Sequence, residues 1–293
     1  MKDFKQKVVV ITGAASGIGL CLANSFAARG ANLVITDLNQ EALDKVKNEL
    51  ESVNTKVIAV PADVRKFEQV NAVANAAFSE FGQVDVLINN AGVFTAPKFT
   101  WECDENEWDF HLDINLKGVI NGVRAFMPRI LEQGNKAHIV NTASLAGHVV
   151  EPCFGPYHAS KFGVVAISES IKLELEMLGN TDIKLSVACP GFVKTGLLGT
   201  LKGFEVVDGD PLAMITEHFT AGSDGRGLDG SEVALQIIKT IEDENFYLFT
   251  HDFSQEILNH RMSPIIKGNS AGLRDDQIES YGVDKIQQTM KSN

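Results

Sequence analysis

Tyr157 and Lys161, within the stretch GPYHASKFG, stand four residues apart on a segment that reads as the start of a helix, so a phenol and an ammonium share one helical face. A phenol titrates near pH 10 in isolation, too high for easy proton exchange at neutral pH. An adjacent ammonium stabilises the phenolate and lowers that value, each unit corresponding to about 1.4 kcal/mol. A tyrosine tuned in this way can take a proton from an alcohol or return one to a carbonyl oxygen. Read alone, the pair could equally be a lysine snorkelling over an aromatic ring. Ser144 closes the run HIVNTAS and adds a hydroxyl at a strand end, where parallel-sheet enzymes place their reactive groups.

A second constellation is VVVITGAASGIG, residues 8 to 19, a glycine-rich turn between a buried strand and a helix. Gly13 permits the tight turn, Gly17 lets the backbone approach a ligand, and Gly19 allows close helix packing, while the helix start offers free N–H groups to a pyrophosphate. Asp37 ends the next strand 18 residues after Gly19, where a carboxylate can accept hydrogen bonds from a ribose diol. The competing role for Asp37 or Asn39 is to cap the following helix. No Lys or Arg stands at 14–16 or 38–40 to neutralise a 2'-phosphate, and two negative charges about 4 Å apart repel by roughly 1 to 4 kcal/mol, so NAD is favoured over NADP.

The elements that must position these groups are legible in the pattern. Lys7–Thr12, Ala31–Thr36, Lys56–Pro61, Val84–Ile88, Ala137–Thr142 and Lys184–Ala188 read as buried strands, joined by segments of helical length and period. Near-continuous apolar strands alternating with helices predict a single doubly wound α/β domain, a Rossmann-type parallel sheet of about seven strands over residues 1–251. One helix is expected at 110–131, with Leu112, Leu116, Val119, Val123, Phe126 and Ile130 as its apolar stripe, and another from Tyr157 to Leu178. Residues 194–230 are glycine-rich yet apolar and read as a substrate lid; a helix at Ser231–Ile241 and a strand at 246–250 close the sheet. Residues 252–293 form a polar extension that could be helical, partly disordered or a subunit contact.

Composition narrows the function. With 293 residues, 44% of them apolar, the chain can bury one large core, and its formal charge of −12 repels a phosphate backbone, which argues against nucleic-acid binding. The N-terminal apolar run from Val8 to Ile11 is too short for a signal-peptide core, and nowhere do 18 apolar residues run together, so no membrane span is expected and the cytoplasm is the default location. Cys21, Cys103, Cys153 and Cys189 lie far apart, with neither disulfide nor zinc spacing, and no metal is expected.

Taken in order, the glycine turn at Thr12–Gly19, DV at 63–64, NNAG at 89–92, INLKG at 114–118, Ser144, Tyr157 with Lys161, and PG at 190–191 closely resemble the short-chain dehydrogenase/reductase family over roughly residues 5 to 250. The resemblance implies a catalytic set of Asn115, Ser144, Tyr157 and Lys161, with Asn115 helping to hold a water in a proton relay. It implies cofactor contacts from Gly13, Ser16, Gly17, Ile18 and Gly19, from Asp63 and Val64 beside the adenine, from Asn90, Ala91 and Gly92, from Tyr157 and Lys161, and from Pro190, Gly191, Val193 and Thr195. It also implies a homodimer or homotetramer built on the two long helices. Residues placed near the reaction centre are mostly apolar, with Leu145, His148, Cys153, Phe154, Phe192, Leu197 and Leu198 as the substrate candidates. They point to a hydrophobic secondary alcohol or its ketone, for example a steroid. Alternatives within the family are a sugar epimerase or dehydratase of the extended branch and an NADP-dependent ketoreductase of acyl carriers, and outside enzymes a catalytically silent dinucleotide sensor or scaffold.

Overall fold

The computed structural model describes residues 1–51, 55–198 and 212–292. Strands β1 (Val8–Thr12), β2 (Asn32–Thr36), β3 (Val57–Ala59), β4 (Val86–Asn89), β5 (Ala137–Thr142) and β6 (Ile183–Cys189) alternate with helices α1 (Gly17–Ala27), α2 (Gln40–Glu51), α3 (Phe67–Phe81), α4 (Glu105–His111), α5 (Gly118–Gln133) and α6 (Gly155–Met177). Beyond them come β7 (Val193–Lys194), α7 (Ala213–Arg226), β8 (Leu228–Asp229), α8 (Gly230–Asp243) and β9 (Tyr247–Phe249). Seven strands form one sheet in the order β3-β2-β1-β4-β5-β6-β9, every pair parallel, and β7 and β8 make a small second ladder.

Alternation along the strands sends apolar side chains to both faces, as a sheet covered on both sides requires. Val9, Ile11, Leu33 and Ile35 pack with Leu22 and Phe26 of α1, Leu43 of α2 and Ile237 of α8. Val8, Val10, Leu87 and Ile139 pack on the other face with Val73 of α3, Phe126 and Ile130 of α5 and Val164 of α6. The chain leaves β1 toward β2 on one side and resumes on the other at β4, so a crevice opens at the C-terminal ends of β1 and β4, where the winding reverses.

Two expectations are refined. The helix predicted at 110–131 is α4, a π-helical stretch at Leu112–Lys117 and then α5. The wider turn breaks the phase of the apolar stripe: Asn115 is fully buried within it, whereas Leu112 and Leu116 are only half-buried. The extension after 252 folds into α9 (Ser254–Ile266), α10 (Asp275–Ser280) and α11 (Val283–Ser292), and it contributes Tyr281, 1% exposed, to the interior. Of the expected lid, residues 199–211 lie outside the described residues; α7 and the β7–β8 ladder make up the rest. No helix among the described residues is long and apolar enough to cross a membrane, and no group of acidic, His and Cys side chains among them could hold a metal ion.

Candidate active site

The crevice is a cleft of about 1200 Å³ running from the glycine turn to the C-terminal extension. At its first end Gly13 takes φ +66° and Gly17 φ +52°, conformations that favour glycine. A Cβ on Gly19 would lie 2.1 Å from the Gly13 carbonyl oxygen, and one on Gly13 would lie 2.8 Å from the Ala91 Cα. The turn is therefore as tight as backbone allows. Thr12 fastens it to the neighbouring strand, its hydroxyl accepting from the N–H groups of Asn90 (2.9 Å) and Ala91 (3.0 Å). The Asn90 amide donates in return to the Thr12 carbonyl (3.0 Å). Ser16 sits extended before α1 without capping it, and the first turn of α1 holds no acidic residue, which leaves a positive helix end open to an anion.

Of the two residues, Asn39 takes the capping role and leaves the Asp37 carboxylate in the cleft wall. Asn39 caps α2 by accepting from Ala42 N (3.0 Å), while the Asp37 carboxylate lines the cleft and accepts from Ala15 N (3.0 Å) and Asn39 N (3.1 Å). Asp63 is buried at the cleft wall and held below the usual carboxylate range, chiefly by its hydrogen bonds from Arg65, whose Nε and Nη2 meet its two oxygens at 2.9 and 2.8 Å. Arg65 is a cleft residue that sequence reasoning missed, because it lies outside the two windows searched for a cation. Asn121, on α5, fixes Val64 by donating to its carbonyl at 2.8 Å. Together the glycine cradle, the open helix end and the carboxylate of Asp37 fit a dinucleotide.

Tyr157 and Lys161 stand where the helical spacing puts them, on one buried face of α6. The Lys161 Nζ donates to the Thr142 carbonyl (3.1 Å) and lies 5.8 Å from the centre of the Tyr157 ring. Burial lowers its pKa from 10.5 to about 8. Burial also pushes the Tyr157 phenol up, and the Ser144 hydroxyl, close enough to hydrogen-bond it, pulls the other way. The expected lowering of the phenol by Lys161 is not found: burial outweighs the opposing pull of Ser144, and Lys161 directs its ammonium at the Thr142 carbonyl instead. Ser144 is held in turn by donating to Pro190 O (3.3 Å) and accepting from Ala146 N (3.1 Å). The π-helical turn carries Asn115 inward, where its side chain accepts from Val93 N (2.7 Å) and donates to Val93 O (3.0 Å) and Ser160 Oγ (3.1 Å). A Cβ on Gly92 would meet both Asn115 Oδ1 (3.2 Å) and Lys161 Nζ (3.5 Å), so these two groups border the same spot.

The other predicted positions separate. Ile18, Ala91, Gly92, Pro190, Gly191, Val193 and Thr195 line the cleft, as do Leu145, Phe192 and Leu197. His148 does not; its ring packs edge-on against Tyr247 and Phe249 behind the cleft, with Nε2 3.4 Å from Cys189 Sγ. Cys153 and Phe154 also lie behind the lining. Cys153 borders a small separate cavity with Thr95 and His111, and burial raises its thiol to about 11, the opposite of an activated nucleophile. Phe154 stacks on Phe94 (5.0 Å) and packs on Phe219 (4.5 Å), in one buried cluster with Tyr157 and Tyr281. The Leu198 side chain lies outside the described residues. Phe94, Phe219, Glu151, His218, Arg274 and Tyr281 line the cleft without having been predicted. The aromatic ones carry no sequence signal beyond their apolarity, and the last two lie in the extension.

Known proteins share this arrangement. Residues 7–205 match the family model described as short chain dehydrogenase. The chain is 35% identical over 276 residues to a CLA biosynthesis dehydrogenase/reductase of Lactiplantibacillus plantarum, covering 91% of this chain and 95% of that one. It is 33% identical over 248 residues to a 1-deoxy-11-beta-hydroxypentalenate dehydrogenase of Streptomyces exfoliatus, covering 84% of each chain. A crystal structure of a short chain dehydrogenase/reductase from Burkholderia phymatum in complex with NAD superposes with a TM-score of 0.86 at 34% identity, over 94% of this chain and 99% of that one. A match over most of the chain, together with a seven-stranded parallel sheet of the same topology class, establishes that the protein belongs to the short-chain dehydrogenase/reductase family of oxidoreductases.

Proposed function

We propose that the protein interconverts a hydrophobic secondary alcohol and its ketone with NAD as hydride acceptor or donor. The observation that carries this is the meeting of a buried phenol, a buried ammonium and a serine hydroxyl at the middle of a cleft whose one end fits a dinucleotide and whose other is walled by Phe94, Leu145, Val149 and Phe219. When bound, the nicotinamide supplies hydride transfer. Tyr157 takes the alcohol proton or returns it to the carbonyl oxygen. The Ser144 hydroxyl donates its single proton to that same oxygen and orients it beside Tyr157, while its nearness to the phenol offsets part of the rise that burial imposes. Lys161 places a positive charge beneath the phenolate, and Asn115 with Lys161 borders a spot over Gly92 from which a water can pass the proton onward. These four residues form the catalytic set of the proposal.

NAD is preferred because Asp37, whose carboxylate accepts from Ala15 and Asn39, lines the adenosine end of the cleft and would repel a 2'-phosphate there. Arg65, also on the cleft wall, is committed to Asp63 through its Nε and Nη2. The relative named for 1-deoxy-11-beta-hydroxypentalenate and the neighbour crystallised with NAD support a hydroxylated substrate and an NAD cofactor. Working as a homodimer or homotetramer in the cytoplasm belongs to the same proposal, supported by apolar side chains left exposed on α6, notably Leu173 and Met177.

The test follows the near-ultraviolet absorbance of reduced nicotinamide while purified protein meets NAD or NADP and a panel of hydrophobic secondary alcohols, beside a Tyr157→Phe control. Reduction of NAD, at least about tenfold more efficient than of NADP and lost by roughly 10²-fold or more in the control, is the expected result. Equal activity of the control would remove Tyr157 from the proton transfer.

A further inference from the structure

Glu151 lies between Ser144 and Tyr157 in the chain and lines the cleft, yet no step of the reaction uses it. Its carboxylate is gripped from the C-terminal extension, 126 and 130 residues away. The Tyr281 hydroxyl and the Gln277 amide both donate to Oε2, and Arg274 Nη1 stands 3.7 Å from Oε1. Burial and the neighbouring Glu151 charge push the Tyr281 phenol up, so it stays protonated and keeps donating. Tyr281 is 1% exposed, shares a buried cluster with Tyr157, and takes the edge of the His218 ring at 5.0 Å. The apolar walls of the cleft therefore end in a polar cluster held by a carboxylate, and the extension that supplies it lies beyond the residues matched by the family model.

We propose that Glu151 and Tyr281 form the specificity-determining far end of the substrate pocket and that the substrate carries a second hydroxyl there, distant from the carbinol that reacts. The proposal rests on the alcohol dehydrogenase function above and adds the substrate's chemical class. An ionised carboxylate only accepts, and has about four acceptor positions. Oε2 is engaged twice, whereas Oε1 accepts no hydrogen bond from a described residue and faces its guanidinium at ion-pair distance only. A substrate carboxylate at this point would meet Glu151 as a like charge, and a substrate ammonium would meet Arg274. A neutral O–H donor suffers neither repulsion and completes the acceptor set. A site built to pair a polar group rejects an analogue lacking it, because its own buried polar atoms are then left unpaired.

The experiment pairs secondary alkanols from 2-hexanol to 2-dodecanol with the same alcohols bearing a terminal hydroxyl, and measures kcat/KM with NAD for wild type, Tyr281→Phe and Glu151→Gln, with NADH affinity as the folding control. At the chain length that spans the pocket, wild type is expected to favour the diol by about tenfold or more, and both variants to bring the ratio within about threefold. A wild-type ratio near one, or a preference that survives in both variants, overturns the proposal. Thermal shifts of the NADH complex with the same pairs separate the two claims. If no alcohol is oxidised but diols raise the melting temperature of wild type above that given by the mono-alcohols, and do not in Tyr281→Phe, the pocket assignment stands and the reaction class falls. No such difference overturns the pocket assignment as well.

Discussion

Lys161 shows the cost of burying a charge. Its side chain is 4% exposed and its ammonium has one acceptor among the described residues, the Thr142 carbonyl, so burial lowers its pKa from 10.5 to about 8. Between those values the unfolded chain holds a proton that the folded chain has released, so stability rises with pH from about 8 to 10.5 and the whole cost stands below 8. About two and a half units correspond to roughly 3 kcal/mol. Lys161→Met keeps the length of the side chain and removes the charge. Allowing for the lost hydrogen bond, it should stabilise the cofactor-free protein at pH 7 by about 1 to 3 kcal/mol, each worth roughly 2–4 °C in Tm, while turnover falls by orders of magnitude. Calorimetry at pH 7 and pH 10 checks both sign and pH window; a variant less stable than wild type at pH 7 would show that the buried ammonium is well compensated. At this scale the sequence revealed which residues meet, because a spacing of four on a helix is a geometric statement. It did not reveal that Ser144 rather than Lys161 would be the phenol's immediate hydrogen-bonding neighbour, since the aim of a lysine stem depends on which carbonyl the packed sheet leaves in reach.

At the scale of elements, the glycine turn works because β1 and α1 are joined with no room to spare. A Cβ on Gly19 would lie 2.1 Å from the Gly13 oxygen and 2.8 Å from the Asn90 amide, and neither can retreat, as Thr12 and Asn90 tie that backbone to β4. Gly19→Ala is therefore expected to open the turn, weakening NADH affinity by about tenfold or more and costing roughly 1–3 kcal/mol of stability. Fluorescence titration with NADH and denaturant unfolding read the two effects separately, and retention of wild-type affinity would mean that the turn can relax without losing its ligand. The strands were legible because parallel, doubly covered strands are continuous apolar runs; β5 occupies the expected residues 137–142. The interruption between α4 and α5 was not. A π-helical turn preserves the same residue types and alters only their phase, and its one trace in the sequence is a polar Asn115 set among apolar neighbours.

The whole molecule divides its labour between a sheet that carries the cofactor groove and a C-terminal extension that finishes the opposite end of the cleft. Polar composition concealed the second role, because α10 enters the fold through its polar side chains: Gln277 is 2% exposed, and Gln277 and Arg274 both address Glu151. Packing is equally close at Gly282, just after α10, which takes φ +59° and whose Cβ would lie 2.1 Å from the Met214 sulfur of α7. Removing residues 269–293 therefore takes away the far wall of the cleft while leaving the groove from Gly13 to Thr195 intact. The truncated protein is expected to bind NADH within a few fold of full length, since none of the groove contacts is lost. Its kcat/KM for secondary alcohols should fall by about tenfold or more, because buried polar atoms around Glu151 become unpaired and water enters the pocket. Sedimentation should show the same assembly for both chains, because α5 and α6, the long helices at which the proposal places the subunit contact, are untouched. Dissociation on truncation with activity preserved would instead make the extension a subunit contact and return substrate selection to α7 and the loop before α6.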